Sequence, residues 1–337
     1  MSAASEATGE RADAAPQGAA RGEAAALIAL DWGTTALRAY LVDGEGTILQ
    51  RRHAREGIRN VPDRDFAGTL ARATQGWDTD LPVVACGMIG SRNGWHEAPY
   101  VDAPAGIEQL SAALARVPGS RVTIVPGVRH VDRHGDPDVM RGEETQLVGA
   151  VLAAGRADAL FVHPGTHAKW ARVRGGRIDA FATFMTGELY ATLLAHTILG
   201  ALASQPSDAD PARAPGPAPG AEGFDWAPFD RGVARALACA DFVHALFTAR
   251  SRVLEADLQP RQVPEYLSGL LIGEELRGAR AAGWIEPGER ATLIGDERLV
   301  ARYARAFGHS GAACDIGPAD VAVIGLRAIA RAAALEP

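Results

Sequence analysis

Residues 25–35 read AALIALDWGTT and residues 159–166 read ALFVHPGT. Each is an apolar, β-rich run that stops at a polar residue and bends through Gly-Thr, the pattern of a buried strand feeding a tight turn. The two stretches also continue alike. After the first bend, Ala36–Val42 is β-rich, Asp43-Gly44-Glu45-Gly46 is a turn and Thr47–Arg51 is a returning strand. After the second, Ala168–Val173 is a strand, Arg174-Gly175-Gly176 a turn and Arg177–Phe184 the return. In both copies the hairpin turn arrives ten residues after the glycine, at Asp43 from Gly33 and at Gly175 from Gly165. A repeated unit of this kind predicts two domains of one plan, residues 24–155 and 156–337, with a ligand cleft between them.

The remaining chain fits an α/β protein. The pattern predicts a helix over 64–75 capped by Asp63, a strand over 81–88 entering a Gly-rich loop, a strand over 121–126 and a helix over 143–154. Later come helices over roughly 231–250, 264–281, 298–307 and 318–334, with a short strand at 291–294 ending in Gly295. Residues 1–23 lack an apolar h-region and read as a disordered tail rather than a signal peptide. Residues 203–223 are rich in Pro, Ala and Gly and read as a disordered insertion.

Composition excludes several classes. Apolar residues make up 47% and charged residues 22% of 337, enough to build a core. The net charge of −7 argues against a nucleic-acid or anionic-membrane binder. No apolar run approaches the length of a membrane span. The cysteines at 86, 239 and 314 are far apart with no CxxC, so neither a disulfide framework nor a zinc knuckle is expected, and a cytoplasmic enzyme fits.

Asp31-Trp32-Gly33-Thr34-Thr35 ends a strand where a glycine turn brings backbone N–H groups and threonine hydroxyls close to phosphate oxygens, and where Asp31 can hold Mg²⁺ through water. The same residues also suit an ordinary β-turn. Gly165 and Thr166 repeat the turn from the second domain. Lys169, the single lysine among 34 basic residues, lies four positions beyond Gly165. A compact ammonium there suits β- or γ-phosphate. His163 and His167 flank that turn and read either as ligand contacts or as plain hydrogen-bonders.

Arg141-Gly142-Glu143-Glu144-Thr145-Gln146 opens the helix at 143–154. A carboxylate in a first helical turn is kept ionised by the helix dipole and can take a hydroxyl proton; the other of Glu143 and Glu144 would simply cap the helix. The loop Gly87–Trp95 offers Arg92 for a carboxylate, Asn93 for hydroxyls and Trp95 for a sugar face, or else a surface loop anchored by Trp95. Gly295, in Leu293-Ile294-Gly295-Asp296-Glu297, could border adenosine, or could belong to a generic βα unit.

Taken in order, AspTrpGlyThrThr at 31–35, GlyThr at 165–166 and IleGlyAspGlu at 294–297 resemble the phosphate-1, phosphate-2 and adenosine motifs of the actin-like ATPase and sugar-kinase superfamily. CysGlyMetIleGlySerArgAsnGlyTrp (86–95), MetArgGlyGluGluThrGln (140–146), HisProGlyThrHisAlaLysTrp (163–170) and PheMetThrGlyGluLeu (184–189) are similar to signatures of the 2-dehydro-3-deoxygalactonokinase family. The resemblance covers about residues 25–335. It implies two ribonuclease H-like domains and phosphorylation of a small sugar acid, 2-dehydro-3-deoxy-D-galactonate, at its C6 hydroxyl, using ATP and Mg²⁺. By position it gives Asp31 the metal-linked role and Gly33, Thr34, Thr35, Gly165 and Thr166 the phosphates. It gives Arg92 and Asn93 the acceptor, and Glu143 the place where glycerol-kinase-like relatives carry a base Asp. Another sugar or sugar acid as acceptor, a phosphatase, or a non-catalytic ATP-binding sensor on the same fold stay open at this point, as does self-association.

Overall fold

The computed structural model describes residues 24–203 and 224–335. The expected tail, and all of the expected insertion except Ala203, lie outside them. The chain opens with β1 (Ala25–Trp32), β2 (Leu37–Asp43) and β3 (Ile48–Ala54), then α1 (Phe66–Ala73) and β4 (Val83–Cys86). Next come β5 (Tyr100–Asp102), α2 (Ile107–Ala112), β6 (Ala115–Arg116), β7 (Val122–Ile124), the hairpin of β8 (Gly127–Val131) and β9 (Pro137–Met140), and α3 (Glu143–Ala154). The pattern restarts with β10 (Ala159–His163), β11 (Ala168–Arg174) and β12 (Arg177–Phe184). Helices come next among the described residues: α4 (Thr186–His196), α5 (Ile198–Ala201), α6 (Ala227–Leu237), α7 (Phe242–Leu254) and α8 (Val263–Ala281). The chain closes with β13 (Arg290–Leu293), α9 (Glu297–Ser310), β14 (Ala313–Ile316) and α10 (Val321–Ala332).

The repeat read in the sequence is a repeat of topology. The first sheet runs β3-β2-β1-β4-β7-β6 and the second β12-β11-β10-β13-β14. In each, the opening three strands form an antiparallel meander and the next two join parallel to the first. This is the ribonuclease H-like plan, present twice, with β6 as an extra antiparallel edge on the first sheet. β1 and β10 are near-continuous apolar runs because both faces of their sheets are covered.

One core joins the halves. It runs from Leu27 and Ala29 of β1 through Leu147, Val148, Leu326 and Ile329 to Phe161 and Phe181 of the second sheet. The helices α3 and α10 thus lie between the two sheets. α10, though last in the chain, packs on α3 and against β1 and β4. A small third sheet, β5-β8-β9, leans on the outer edge of β12. Ala105 and Ile178 exchange both backbone hydrogen bonds there, at 3.0 and 2.8 Å.

Three expectations need correction. The first helix is capped by Asp65, whose carboxylate accepts the Gly68 N–H, and not by Asp63; Asp63 and Arg64 both have left-handed φ in a single preceding 3₁₀ turn, where a helix cannot start. The helix expected over 231–250 is two helices, because Asp241 caps a new start by accepting from the His244 N–H. The third sheet and α2 have no counterpart in the pattern read from the sequence; the sheet's strands of 3–5 residues are too short to show a period.

Candidate active site

The parallel strands β1 and β4 of one domain and β10 and β13 of the other bring their ends near one another: Gly87 approaches Trp32, Gly295 approaches His163, and Asp31 and His163 feel each other's charge. Asp31 stands two residues before Gly33 and His163 two before Gly165, so they occupy equivalent strand ends. Asp31 is paired with Arg38 at 3.1 Å, and its side chain is 12% exposed. Burial raises its pKa, Arg38 and His163 oppose the rise, and Glu143 adds to it. His163 is held below its ordinary pKa chiefly by burial, against the pull of Glu143 and Asp31, and Lys169 lowers it further. A neutral imidazole follows, with Nε2 on Gln146 Oε1 across the domain interface and Nδ1 buried without a hydrogen-bond partner. Asp31, Glu143, Gln146, His163 and Lys169 therefore form one cluster. Each glycine–threonine bend follows a strand end that contributes to this cluster, Asp31 before the first and His163 before the second.

Glu143 gets there through a backbone stack. Gly142, which starts α3, has φ +109° and Gly87, which follows β4, has φ +98°. A Cβ on Gly142 would sit 3.0 Å from Gly87 Cα, and one on Gly87 would sit 2.7 Å from Trp32 O. Side chains at either place would force the helix start away from the end of β1. The two adjacent carboxylates part ways here. Glu144 is fully buried; one oxygen accepts the Gly142 N–H at 2.7 Å and the other the Thr145 hydroxyl at 3.0 Å. Burial and the neighbouring Glu143 push its pKa up to about 7. Glu143 is only half-buried, and Oε2 takes the Arg141 N–H at 3.1 Å.

Each bend is backed by a second segment of the chain. Behind the first, Ile58 N–H donates to Gly33 O at 3.0 Å and Arg59 N–H to Thr34 O at 3.2 Å. Behind the second lies the start of α4. A Cβ on Gly187 would fall 2.4 Å from Gly165 O, and the Glu188 N–H donates to Thr166 O at 2.9 Å. Thr186 is fixed in turn by the buried Glu275, which also accepts from Trp170 Nε1 at 2.7 Å and the Tyr303 hydroxyl at 2.6 Å. His167 pairs with Glu188 at 2.5 Å in the open. Gly295, two residues past β13, lies beside the His163 ring, while Asp296 caps α9.

Lys169 is placed differently from the expectation. Its side chain is buried, and Nζ donates to Thr183 Oγ1 at 2.8 Å instead of standing free for a phosphate. Thr183 donates through both N–H and hydroxyl, at 2.6 Å each, to Asp138 of β9. The lone lysine thus ends a hydrogen-bonded chain that ties the third sheet to the second domain, with its charge felt at His163.

The loop after β4 is stiff. Gly90, Ser91, Gly94 and Trp95 all donate back within it, and Arg64 holds the Asn93 and Gly94 carbonyls. Arg92 and Asn93 are exposed on it; the Arg92 side chain is 87% exposed and 3.7 Å from Glu97. Trp95 does not offer a free sugar face. It stacks on Phe66 with centroids 6.1 Å apart and meets Trp32 edge-on, which makes it the anchor of the loop.

The donor set suits a cation bound through phosphates. Among the described residues no cluster of three or more His, Cys, Asp or Glu could form a protein cage. Mg²⁺ commonly needs only one or two carboxylates beside substrate phosphates and water. Asp31 fits, since burial leaves its charge short of compensation despite Arg38.

A family model for 2-keto-3-deoxy-galactonokinase matches residues 31–329. The 2-dehydro-3-deoxygalactonokinase of Escherichia coli (strain K12) is 38% identical over 317 residues, 92% of this chain and 99% of that protein. A Sinorhizobium meliloti crystal structure named for the same activity superposes with a TM-score of 0.78 at 35% identity, covering 91% of this chain and 98% of that one. The fold alone is shared with component A of the Acidaminococcus fermentans (R)-2-hydroxyglutaryl-CoA dehydratase, with a TM-score of 0.50 at 12% identity over 92% of this chain and all of that one.

Proposed function

This chain belongs to the 2-keto-3-deoxy-galactonokinase family, and from that premise we propose that it transfers the γ-phosphoryl group of ATP to the C6 hydroxyl of 2-dehydro-3-deoxy-D-galactonate, the kinase step of galactonate catabolism. The observation that carries this reading is the meeting of Asp31, Glu143 and His163, from three separate segments, each close enough to feel the others' charge, with Gln146 of the Glu143 helix bonded to His163. Residues 24–155 would supply the first bend, the acceptor loop and the base; residues 156–337 would supply the second bend and the adenosine side.

Gly33, Thr34 and Thr35 hold the phosphates from one wall and Gly165 and Thr166 from the other, with Gly295 at the adenosine end. Asp31 would hold Mg²⁺, whose chemistry is to neutralise charge shared between the β- and γ-phosphates. Arg92 and Asn93 orient the sugar acid. Glu143 takes the proton of the C6 hydroxyl as O6 bonds to the γ-phosphorus and the bond to the bridging oxygen of ADP breaks. The half-buried, partly engaged Glu143 supports that choice over Glu144, whose two oxygens are committed to its own helix start. Positioning and charge neutralisation lower most of the barrier in such transfers. Lys169, bonded through Thr183 to Asp138, holds the third sheet in register with the second domain. No described helix is long and apolar enough to cross a membrane, and a cytoplasmic workplace is part of the proposal.

A coupled ADP-release assay over a panel of 2-keto-3-deoxy acids and free sugars tests it. The galactonate-derived acid is expected to give the highest kcat/KM. ATP binding with no acceptor-dependent ADP release would instead mean a sensor, and preference for a neutral sugar would move the acceptor class.

A further inference from the structure

A guanidinium sealed away from water without a carboxylate is costly, and proteins keep one only where something compensates it. Arg141 is such a group. It is 8% exposed, and none of the ion pairs among the described residues includes it. Nη2 donates to Ala98 O at 2.8 Å, and the guanidinium lies 4.3 Å from the centre of the Tyr100 ring. Nε and Nη1 are buried with no hydrogen-bond partner. Nη1 reaches up beneath the loop that follows β4, because a Cβ on Gly90 would lie 3.0 Å from it. The start of α3 is the next residue, and its dipole adds positive potential to the same spot. Glu143 offers no relief, since its contact is with the Arg141 backbone N–H.

A neutral amide could serve the Ala98 carbonyl equally well. What arginine adds is charge, placed directly under the loop that carries Arg92 and Asn93 and two residues from Glu143. We propose that Arg141 sets the preference for an acidic acceptor: its buried charge, unbalanced in the free protein, is balanced by the carboxylate of a sugar acid seated on the 88–95 loop. The inference rests on the reading of that loop as the acceptor site. Arg141 acts through the loop as a specificity-determining residue, while exposed Arg92 makes the outer contact.

The test compares the acid with its C1 carboxamide in wild type, Arg141→Met and Arg141→Lys. Arg141→Met is expected to raise KM for the acid roughly 10- to 100-fold, the range lost with an interaction to a charged group. KM for ATP and for the carboxamide should stay within about twofold of wild type, taking one hydrogen bond's context scatter as the margin. Arg141→Lys, which keeps the charge, should retain most of the preference for acid over amide. It provides the decision if the methionine variant does not fold. Equal losses on acid, amide and ATP, or a folded lysine variant without the preference, would overturn the inference in favour of a purely structural arginine. A wild type that treats acid and amide alike would also overturn it while leaving the kinase reading intact; one that phosphorylates neither would sink both.

Discussion

The two glycine–threonine bends are alike in backbone and opposite in chemistry. In the first domain Asp31 faces Arg38 across the β1–β2 ladder; in the second, at the equivalent place, His163 faces Lys169 across β10–β11. The first pair is an anion with an exposed counter-ion, the arginine side chain being 53% exposed. The second is a neutral imidazole and a buried ammonium tied through Thr183 to Asp138. The two units therefore share the strand-and-turn frame while the residues at the strand ends differ. The first strand end carries an anion, the residue proposed to hold the cation, and the second bonds through His163 to Gln146 of the first domain.

That contrast can be broken experimentally. The largest effect is expected from Glu143→Gln, which removes the proposed base. Turnover should fall roughly 10²- to 10⁴-fold, as for loss of a positioned general base, while calorimetry finds ATP affinity intact. Near wild-type turnover would send the role elsewhere. Asp31→Asn should weaken apparent Mg²⁺ affinity about 10- to 100-fold, as for a ligand acting through bound water, with partial rescue at high Mg²⁺. His163→Asn should leave the Mg²⁺ titration unmoved; equal shifts from both variants would erase the division of labour between the walls. Lys169→Arg keeps the charge but loses the fit to Thr183, and kcat should fall about tenfold, the scale of one charge-assisted hydrogen bond. Thr183→Val should not add to it, and full additivity in the double variant would show that the two residues do not act as a unit.

The smallest effect concerns Glu144. Its pKa rises from 4.5 to about 7 on folding, so the stability it contributes is complete below its unfolded pKa and is lost as pH climbs through about 7. Wild-type Tm should therefore fall between about pH 5 and about pH 8 more steeply than that of Glu144→Gln. Parallel slopes would place the titrating group elsewhere.

The frame is legible because it is written in local signals. Two apolar runs ending at Gly-Thr, each with a hairpin ten residues on, determine the meander and its repeat, and the structure follows them almost to the residue. Glu143 is legible for a similar reason, since an acidic first helical turn is a local pattern. The supports are not. Gly187 lies in the 184–189 signature, but its place behind the second bend, and that of Glu275 on α8, depends on contacts far apart in sequence. Lys169 stands out by its rarity, but its alternation with Trp170 along β11 cannot show that Thr183 and Asp138 claim its ammonium. Trp95 is open to two readings, and Phe66, far from it in sequence, decides for the anchor.

The position of α10 bears on how the chain can be made. This helix covers β1 and β4 and packs on α3, and Asp320 just before it pairs with Arg51 at 2.7 Å. During synthesis the first sheet consequently keeps one greasy side bare until α10 has left the ribosome. Completion of the amino-terminal half waits on the codons of that helix, and a message truncated before them forfeits the beginning of the protein along with its end.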